Sequence, residues 1–267
     1  MVTGNTTHPW RSYVAIGDSF SEGLEDHYPD GAMRGWTDRL AQALADRARE
    51  PVRYANLAIR GRLLGAILAE QLEPAIALRP GLVSLVGGGN DLLRVGSDPD
   101  DLAAQLETAV RRLRAEGIDV LLATGIDPAD SPVIRLTRNR VAIFNSHLWS
   151  IASRHGVHVA DQWSMRSIRD WRMWHADRLH LNAAGHERMT QAALVGLGLD
   201  PDRPDWDAPL PPADAMSARE TLQWNLAWGR DHLLPWLGRR LRRTSSGATR
   251  TPKQPAYREI HPEPRAS

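Results

Sequence analysis

Short apolar runs alternate with helical repeats along the first 200 residues of this 267-residue chain, and that alternation leaves few folds open. "SYVAIG" (12–17), "VRYANLA" (52–58), "GLVSLVGGG" (81–89), "IDVLLATG" (118–125) and "VHVAD" (157–161) read as strands. Between and after them the spacing predicts helices over 35–50, 63–78, 98–117, 137–156 and 182–198. In the first, Trp36, Leu40, Ala43, Leu44 and Ala48 share one face. The second is expected to be interrupted at Pro74. The third opens on acids and stops at Gly117. Strands separated by helices call for a parallel sheet covered on both faces. Ligands of such sheets bind beyond the C-terminal ends of the strands. The polar turns "GDS", "NLAIRG" and "GGGND" follow the first three strands, so all three should face one crevice.

Beyond residue 200 the pattern changes. "DPDRPDWDAPLPPAD" (200–214) is proline-rich and reads as a linker or a strap. The stretch 217–243 is amphipathic, with Leu222, Leu226, Trp228, Leu233, Leu234 and Leu237 as its apolar part and a kink expected at Pro235. It is expected to pack on the body or on a second subunit. Its basic end also fits a helix lying on a membrane surface. Residues 244–267 lack aliphatic periodicity, and disorder is expected there. The organisation read from the sequence is thus a body over 1–199, a strap and helical extension over 200–243, and a basic disordered tail over 244–267.

Charge follows the same division. Residues 239–267 carry eight basic and two acidic side chains, a net of +6 against +1 for the whole chain, so the remainder carries −5. A mildly acidic body gives no support for nucleic-acid binding. Cysteine is absent, which excludes disulfides, thiolate metal ligands and a thiol nucleophile. No apolar run reaches the ~18 residues of a membrane span. "MVTGNTTHPWRS" has no apolar core of a secretory signal, and with the missing cysteines this places the expectation in the cytoplasm.

The chemistry-bearing residues gather at the strand ends. Ser19 follows the first strand in "VAIGDSFSEG". A serine hydroxyl is a weak nucleophile until a base activates it. Among ten histidines, His180 stands out because Asp177 precedes it by three residues, just before the last helix. That spacing brings a carboxylate to an imidazole, to hold one tautomer and stabilise its charged form. Acyl transfer further needs donors for a developing oxyanion. The Ser19 N–H, the N–H of Gly61 in "NLAIRG" and the Asn90 amide in "GGGND" are candidates on the same rim.

"GDS", "NLAIRG", "GGGND" and "DRLH", in that order over residues 12–195, resemble the four blocks of the SGNH hydrolases, the GDSL esterase/lipase family. Phe20 stands where the family name has leucine, an apolar exchange. The resemblance implies a flavodoxin-like three-layer α/β/α sandwich around a central parallel sheet of about five strands. It implies Ser19 as nucleophile, His180 as base and Asp177 as the acid that orients it. It implies an oxyanion hole from Ser19, Gly61 and Asn90, and a small-molecule ester as substrate, with no metal or organic cofactor. Family members act on acetylated sugars, short-chain esters, lysophospholipids and thioesters, and nothing in this sequence chooses among them.

Other readings compete for the same residues. The site can pass its acyl group to an alcohol instead of water, as an acyltransferase, or be a silent module that binds a sugar or lipid. Asp18 adjoins the nucleophile, yet a strand-to-turn aspartate usually bonds nearby N–H groups. His175, Asp177, His180 and His186 are crowded enough to suggest a metal, but they match no His-Glu-x-x-His pattern, and His186 is expected at the surface or capping the packing of the last helix. Trp163, Trp171 and Trp174 are read as packing residues, with Trp171 or Trp174 the candidates to line a pocket. Arg60, Arg62 and Arg94 flank the oxyanion blocks; they are candidates to attract an anionic substrate, and solvated arginines are the more frequent explanation.

Overall fold

The structure, a computed structural model, describes residues 7–131, 134–213, 217–234, 247 and 249–264. The body alternates as the sequence requires: β1 (Ser12–Gly17), α1 (Ser19–Glu22), α2 (Gly35–Ala48), β2 (Val52–Asn56), α3 (Leu64–Ala77), β3 (Leu82–Val86), α4 (Gly89–Leu92), α5 (Pro99–Ala115), β4 (Asp119–Ala123), α6 (Arg138–His155), β5 (His158–Ala160) and α7 (Ala183–Gly196). After it come α8 (Ala218–Trp228), a π turn over Gly229–Leu233 and β6 (Gln254–Ile260). The sheet order is β5-β4-β3-β1-β2-β6. Every pairing is parallel except β2 with β6.

Both faces of the sheet are covered, which explains why its strands read as continuous apolar runs. All six residues of β1 are buried. Val14 and Ile16 point to one face, where they meet Ile67 of α3, Leu106 of α5 and Phe144 of α6. Tyr13 and Ala15 point to the other, toward Trp36 and Leu40 of α2 and Met189 of α7. Local signals fix the helix ends. Asp98 caps α5 by accepting from the Asp100 N–H at 2.9 Å, with Pro99 in the first turn and Arg112 and Arg114 in the last. In β5-β4-β3-β1-β2 the connections run outward in opposite directions from β1 and β3. The gap between their C-terminal ends is therefore the switch point where a ligand crevice forms.

Three expectations need correction. The sheet has six strands, not about five, because Gln254–Ile260 pairs antiparallel along β2, with Val52 opposite Ile260 and Tyr54 opposite Arg258. The tail is thus not disordered over 254–260; the edge of β2 supplies backbone partners that the tail's own composition does not announce. Helix α3 runs through Pro74, because the apolar contacts of Leu64, Ile67, Ala75 and Ile76 with the core outweigh the lost N–H bond to Glu70 and the crowding of its carbonyl by the proline ring. The helix expected to reach 243 is described to Leu234; Pro235, Leu237 and the arginines at 239–243 lie outside the described residues. Among the described residues no helix is long and apolar enough to cross a membrane.

Candidate active site

β1 ends at Gly17, where φ is +153° and a β-carbon would lie 2.4 Å from the Val86 carbonyl oxygen. Only glycine lets β1 and β3 stay paired this close to the turn. Gln71 of α3 fastens the same residue: its Oε1 accepts from Gly17 N–H at 2.8 Å, and its Nε2 donates to Gly17 O at 2.9 Å. Asp18 then caps α1, its Oδ1 accepting from Phe20 N–H at 3.1 Å. Ser19 is the first helical residue, so its own N–H has no partner within the helix.

The turn before α7 delivers the partners. His180 Nε2 lies 3.1 Å from Ser19 Oγ, and His180 Nδ1 lies 2.7 Å from Asp177 Oδ2. Asp177 Oδ1 accepts from the N–H groups of Leu179 (2.9 Å) and His180 (3.0 Å). Burial pushes the Asp177 carboxyl up, but the hydrogen bond and charge of His180, with those two N–H groups, hold it well below the usual carboxylate range. An ionised Asp177 accepts the Nδ1 proton and leaves Nε2 to accept from the Ser19 hydroxyl.

The other two blocks close the rim. Gly61 takes a left-handed turn at φ +72°. The residue before it is anchored to α1, the helix that begins at Ser19: Arg60 N–H and Arg60 Nη2 donate to Glu22 Oε2 and Oε1 at 2.6 and 2.7 Å. Asn90, in α4, donates from Nδ2 to Asp18 Oδ2 at 3.0 Å and to the Arg62 carbonyl at 3.1 Å. Burial pushes the Asp18 carboxyl up to about 6, against the pull of the Phe20 N–H and of His180. Ser19, Gly61, Asn90, Asp177 and His180 all line one cavity of about 570 Å³.

The remaining expectations sort by position. Trp171 and Trp174 line the cavity, with ring centroids 6.0 Å apart. Trp163 packs instead against the core beside α6, with the Arg138 guanidinium 5.6 Å from its ring centre. Arg60 and Arg62 are not simply solvated; they pair with Glu22 and Glu70 at 2.7 and 2.8 Å, while Arg94 is exposed. His186 is buried rather than at the surface: its Nδ1 accepts from Trp36 N–H at 3.2 Å and its Nε2 donates to Leu24 O at 2.8 Å. That binds it into the body and removes it from the histidine cluster. Among the described residues, the donor set that can converge on a metal is Glu25, His175 and Asp177, so His180 also falls outside it. Sequence reading missed Gln71 and Glu22. Both act on backbone far away in sequence, so no local spacing marks them.

Comparison with known proteins agrees with this geometry. The sequence pattern of the GDSL-like lipase/acylhydrolase family matches residues 15–188. No curated protein matches the sequence. Among solved structures, TesA is 26% identical over 70% of this chain and 97% of its own, with a TM-score of 0.57. A variant of Axe2, an acetyl xylan esterase from Geobacillus stearothermophilus, is 22% identical over 72% and 97%, with a TM-score of 0.61. LAE5, an alpha/beta hydrolase enzyme from the metagenome of Lake Arreo, is 22% identical over 73% and 98%, with a TM-score of 0.60. With two thirds of the chain inside the family pattern and all four blocks on one rim of the expected sheet, this protein belongs to the GDSL-like lipase/acylhydrolase family and is a hydrolase of ester bonds.

Proposed function

We propose that the chain is a serine esterase working through an acyl-enzyme. The observation that carries this reading is the unbroken line Ser19 Oγ, His180 Nε2, His180 Nδ1, Asp177 Oδ2, with separations of 3.1 and 2.7 Å at its two contacts. Ser19 Oγ attacks the ester carbonyl carbon while His180 Nε2 takes the hydroxyl proton. The imidazolium so formed is stabilised by ionised Asp177. The carbonyl oxygen becomes an oxyanion facing Ser19 N–H, Gly61 N–H and the Asn90 amide. The C–O bond to the leaving alcohol breaks, and His180 returns the proton to that oxygen. Water then attacks the acyl-enzyme, giving up its proton to His180. The carboxylic acid leaves, and Ser19 regains its hydrogen.

No metal or organic cofactor enters these steps. The substrate is a small ester whose acyl or alcohol part fits the cavity beside Trp171 and Trp174. The test is hydrolysis of p-nitrophenyl esters from acetate to decanoate by the native protein and by Ser19→Ala. Turnover abolished in Ser19→Ala supports the nucleophile, and the chain-length preference names the acyl class. Hydrolysis that survives in Ser19→Ala, or a folded protein that neither turns over an ester nor takes a fluorophosphonate label at Ser19, sinks the reading. The place of action is read as the cytoplasm, and fractionation of the source cells checks it.

A further inference from the structure

The family pattern ends at residue 188, and α8 lies outside it at Ala218–Trp228. This helix is not held by a buried apolar stripe, because Leu222, Trp224 and Leu226 are all exposed. Its contact with the body runs instead to the turn that carries the acid and the base.

Arg178 is the residue next to Asp177. Its φ is +57°, a conformation glycine takes freely and an L side chain does not. The chain nevertheless places an arginine there and leaves it only 7% exposed. The guanidinium carbon sits 3.6 Å from the ring centre of Trp224 and 4.8 Å from that of Trp228, both on α8, and 5.9 Å from that of Trp171. Arg178 Nη1 donates to Asn225 Oδ1, also on α8, at 2.9 Å. Among the described residues Nε and Nη2 have no hydrogen-bond acceptor, and the ring faces are what meets the rest of the charge. Alongside, Trp228 Nε1 donates to the carbonyl oxygen of Asp177 itself at 2.9 Å. Two neighbouring residues of the turn, 177 and 178, are thus gripped by three side chains of one helix.

We infer that α8 is a working part of the active site, with Arg178 and Trp228 as positioning residues that hold the Asp177–His180 turn in register with Ser19. The inference rests on the Ser19–His180–Asp177 reading. Its physical content is that the 2.7 Å contact between Asp177 and His180 depends on where the Asp177 backbone lies, and α8 fixes that backbone from outside. A displacement of about 1 Å at such a contact is enough for a roughly hundred-fold loss of rate.

Arg178→Gly separates this from plain packing. Glycine accepts the +57° conformation, so the turn is free of strain while its grip on the tryptophans is gone. The expected result is kcat lower by about ten-fold or more on p-nitrophenyl acetate, KM within about two-fold, and faster tryptic cleavage at Arg219 or Arg230. Arg178→Lys, which keeps a cation over the rings, is expected to recover most of the lost kcat. Trp228→Phe keeps a ring face but loses the N–H, and is expected to fall between. Thermal melting of each variant shows that it is folded, and Trp228→Phe serves where Arg178→Gly is not. An unchanged kcat in folded Arg178→Gly, above all with the helix released, overturns the inference. So does a Lys variant no better than the Gly variant. Wild-type hydrolysis that Ser19→Ala does not abolish overturns the esterase reading, and this one with it, and that outcome is visible before any α8 variant is made.

Discussion

Asn90 Nδ2 lies 3.0 Å from Asp18 Oδ2 and 3.1 Å from the Arg62 carbonyl oxygen, so both hydrogens of the proposed oxyanion donor are aimed at acceptors in the resting site. Under the proposed mechanism, Asp18 therefore sets the direction of the amide that receives the oxyanion. Asn90→Ala should lower kcat by about 10²–10³ with little change in KM, the usual loss for one oxyanion donor. Asp18→Asn keeps an acceptor for Phe20 N–H but turns an amide toward Asn90, donor against donor, and should lower kcat by about ten-fold or more. The two changes should not add. A double variant no slower than Asn90→Ala places them on one path, whereas additive losses would show that Asp18 acts independently of Asn90.

Asp18 and His186 should bend the pH dependence of stability in opposite senses. Burial raises Asp18 from 3.8 to about 6, so the folded state holds this proton more tightly. Its contribution is complete below pH 3.8 and is lost as pH rises through 6. Burial lowers His186 from 6.5 to about 4, so the unfolded chain takes up this proton first. Its contribution is complete above 6.5 and is lost as pH falls toward 4. Each amounts to about 3 kcal/mol on the usual conversion, and between pH 4 and 6 the two slopes nearly cancel. In urea unfolding, Asp18→Asn should therefore lose more stability than the native protein as pH falls from 6.5 to 4, because the variant keeps the His186 slope and lacks the opposing one. An Asp18→Asn protein with the native profile would show that Asp18 is not proton-bound at acid pH.

Glu22 is buried on α1, the helix that begins at Ser19, and receives both the Arg60 N–H and the Arg60 guanidinium. Arg60→Met removes the compensating charge and should cost about 3–5 kcal/mol, the range for breaking a buried pair from one side. The double change Arg60→Met with Glu22→Gln should recover much of that stability. It should not recover the full kcat, because the turn leading to Gly61 has lost the side-chain half of its tie to α1 and keeps only the backbone N–H contact. Stability and kcat recovering together would separate this ion pair from the catalytic geometry.

What the sequence made legible were features that repeat locally or recur at strand ends. β1 was readable to the residue because both faces of that strand are buried, so all six positions carry the signal. Ser19, Asp177, His180, Gly61 and Asn90 were readable because each sits in a short polar block next to a regular element. β6 was not. Its burial alternates only between exposed and half-exposed positions, so "QPAYREI" has no apolar period, and the strand owes its order to the backbone edge of β2. The grip of α8 on Arg178 was hidden for a related reason. It joins residues about 50 apart through tryptophan faces and an arginine, a pairing with no sequence period. Pro74 was over-read, since the missing N–H and the crowded Glu70 carbonyl are together a smaller loss than the apolar contacts of Leu64, Ile67, Ala75 and Ile76 are a gain.

The sixth strand is fastened by the only lysine in the chain. Lys253 Nζ lies 2.6 Å from Asp38 Oδ2, and the same carboxylate oxygen accepts from Tyr54 OH at 3.0 Å. Asp38 is 4% exposed. Burial pushes its carboxyl up and the Lys253 ammonium down, and the pairing opposes both shifts. From Asp38 the contacts continue through Thr37 to the Ser21 carbonyl at 3.0 Å, two residues from Ser19. Lys253→Met should therefore do two things. Leaving Asp38 buried with Arg258, 3.7 Å away and half-exposed, as its remaining cation should cost about 3 kcal/mol in chemical denaturation, more than an exposed lysine would. It should also loosen β6 from β2, seen as faster amide exchange over 254–260. Adding Asp38→Asn removes the stranded charge and should return much of the stability, whether or not β6 re-pairs. A loss under about 1 kcal/mol in Lys253→Met, the range of a surface pair, would mean that the strand is held by its backbone ladder alone.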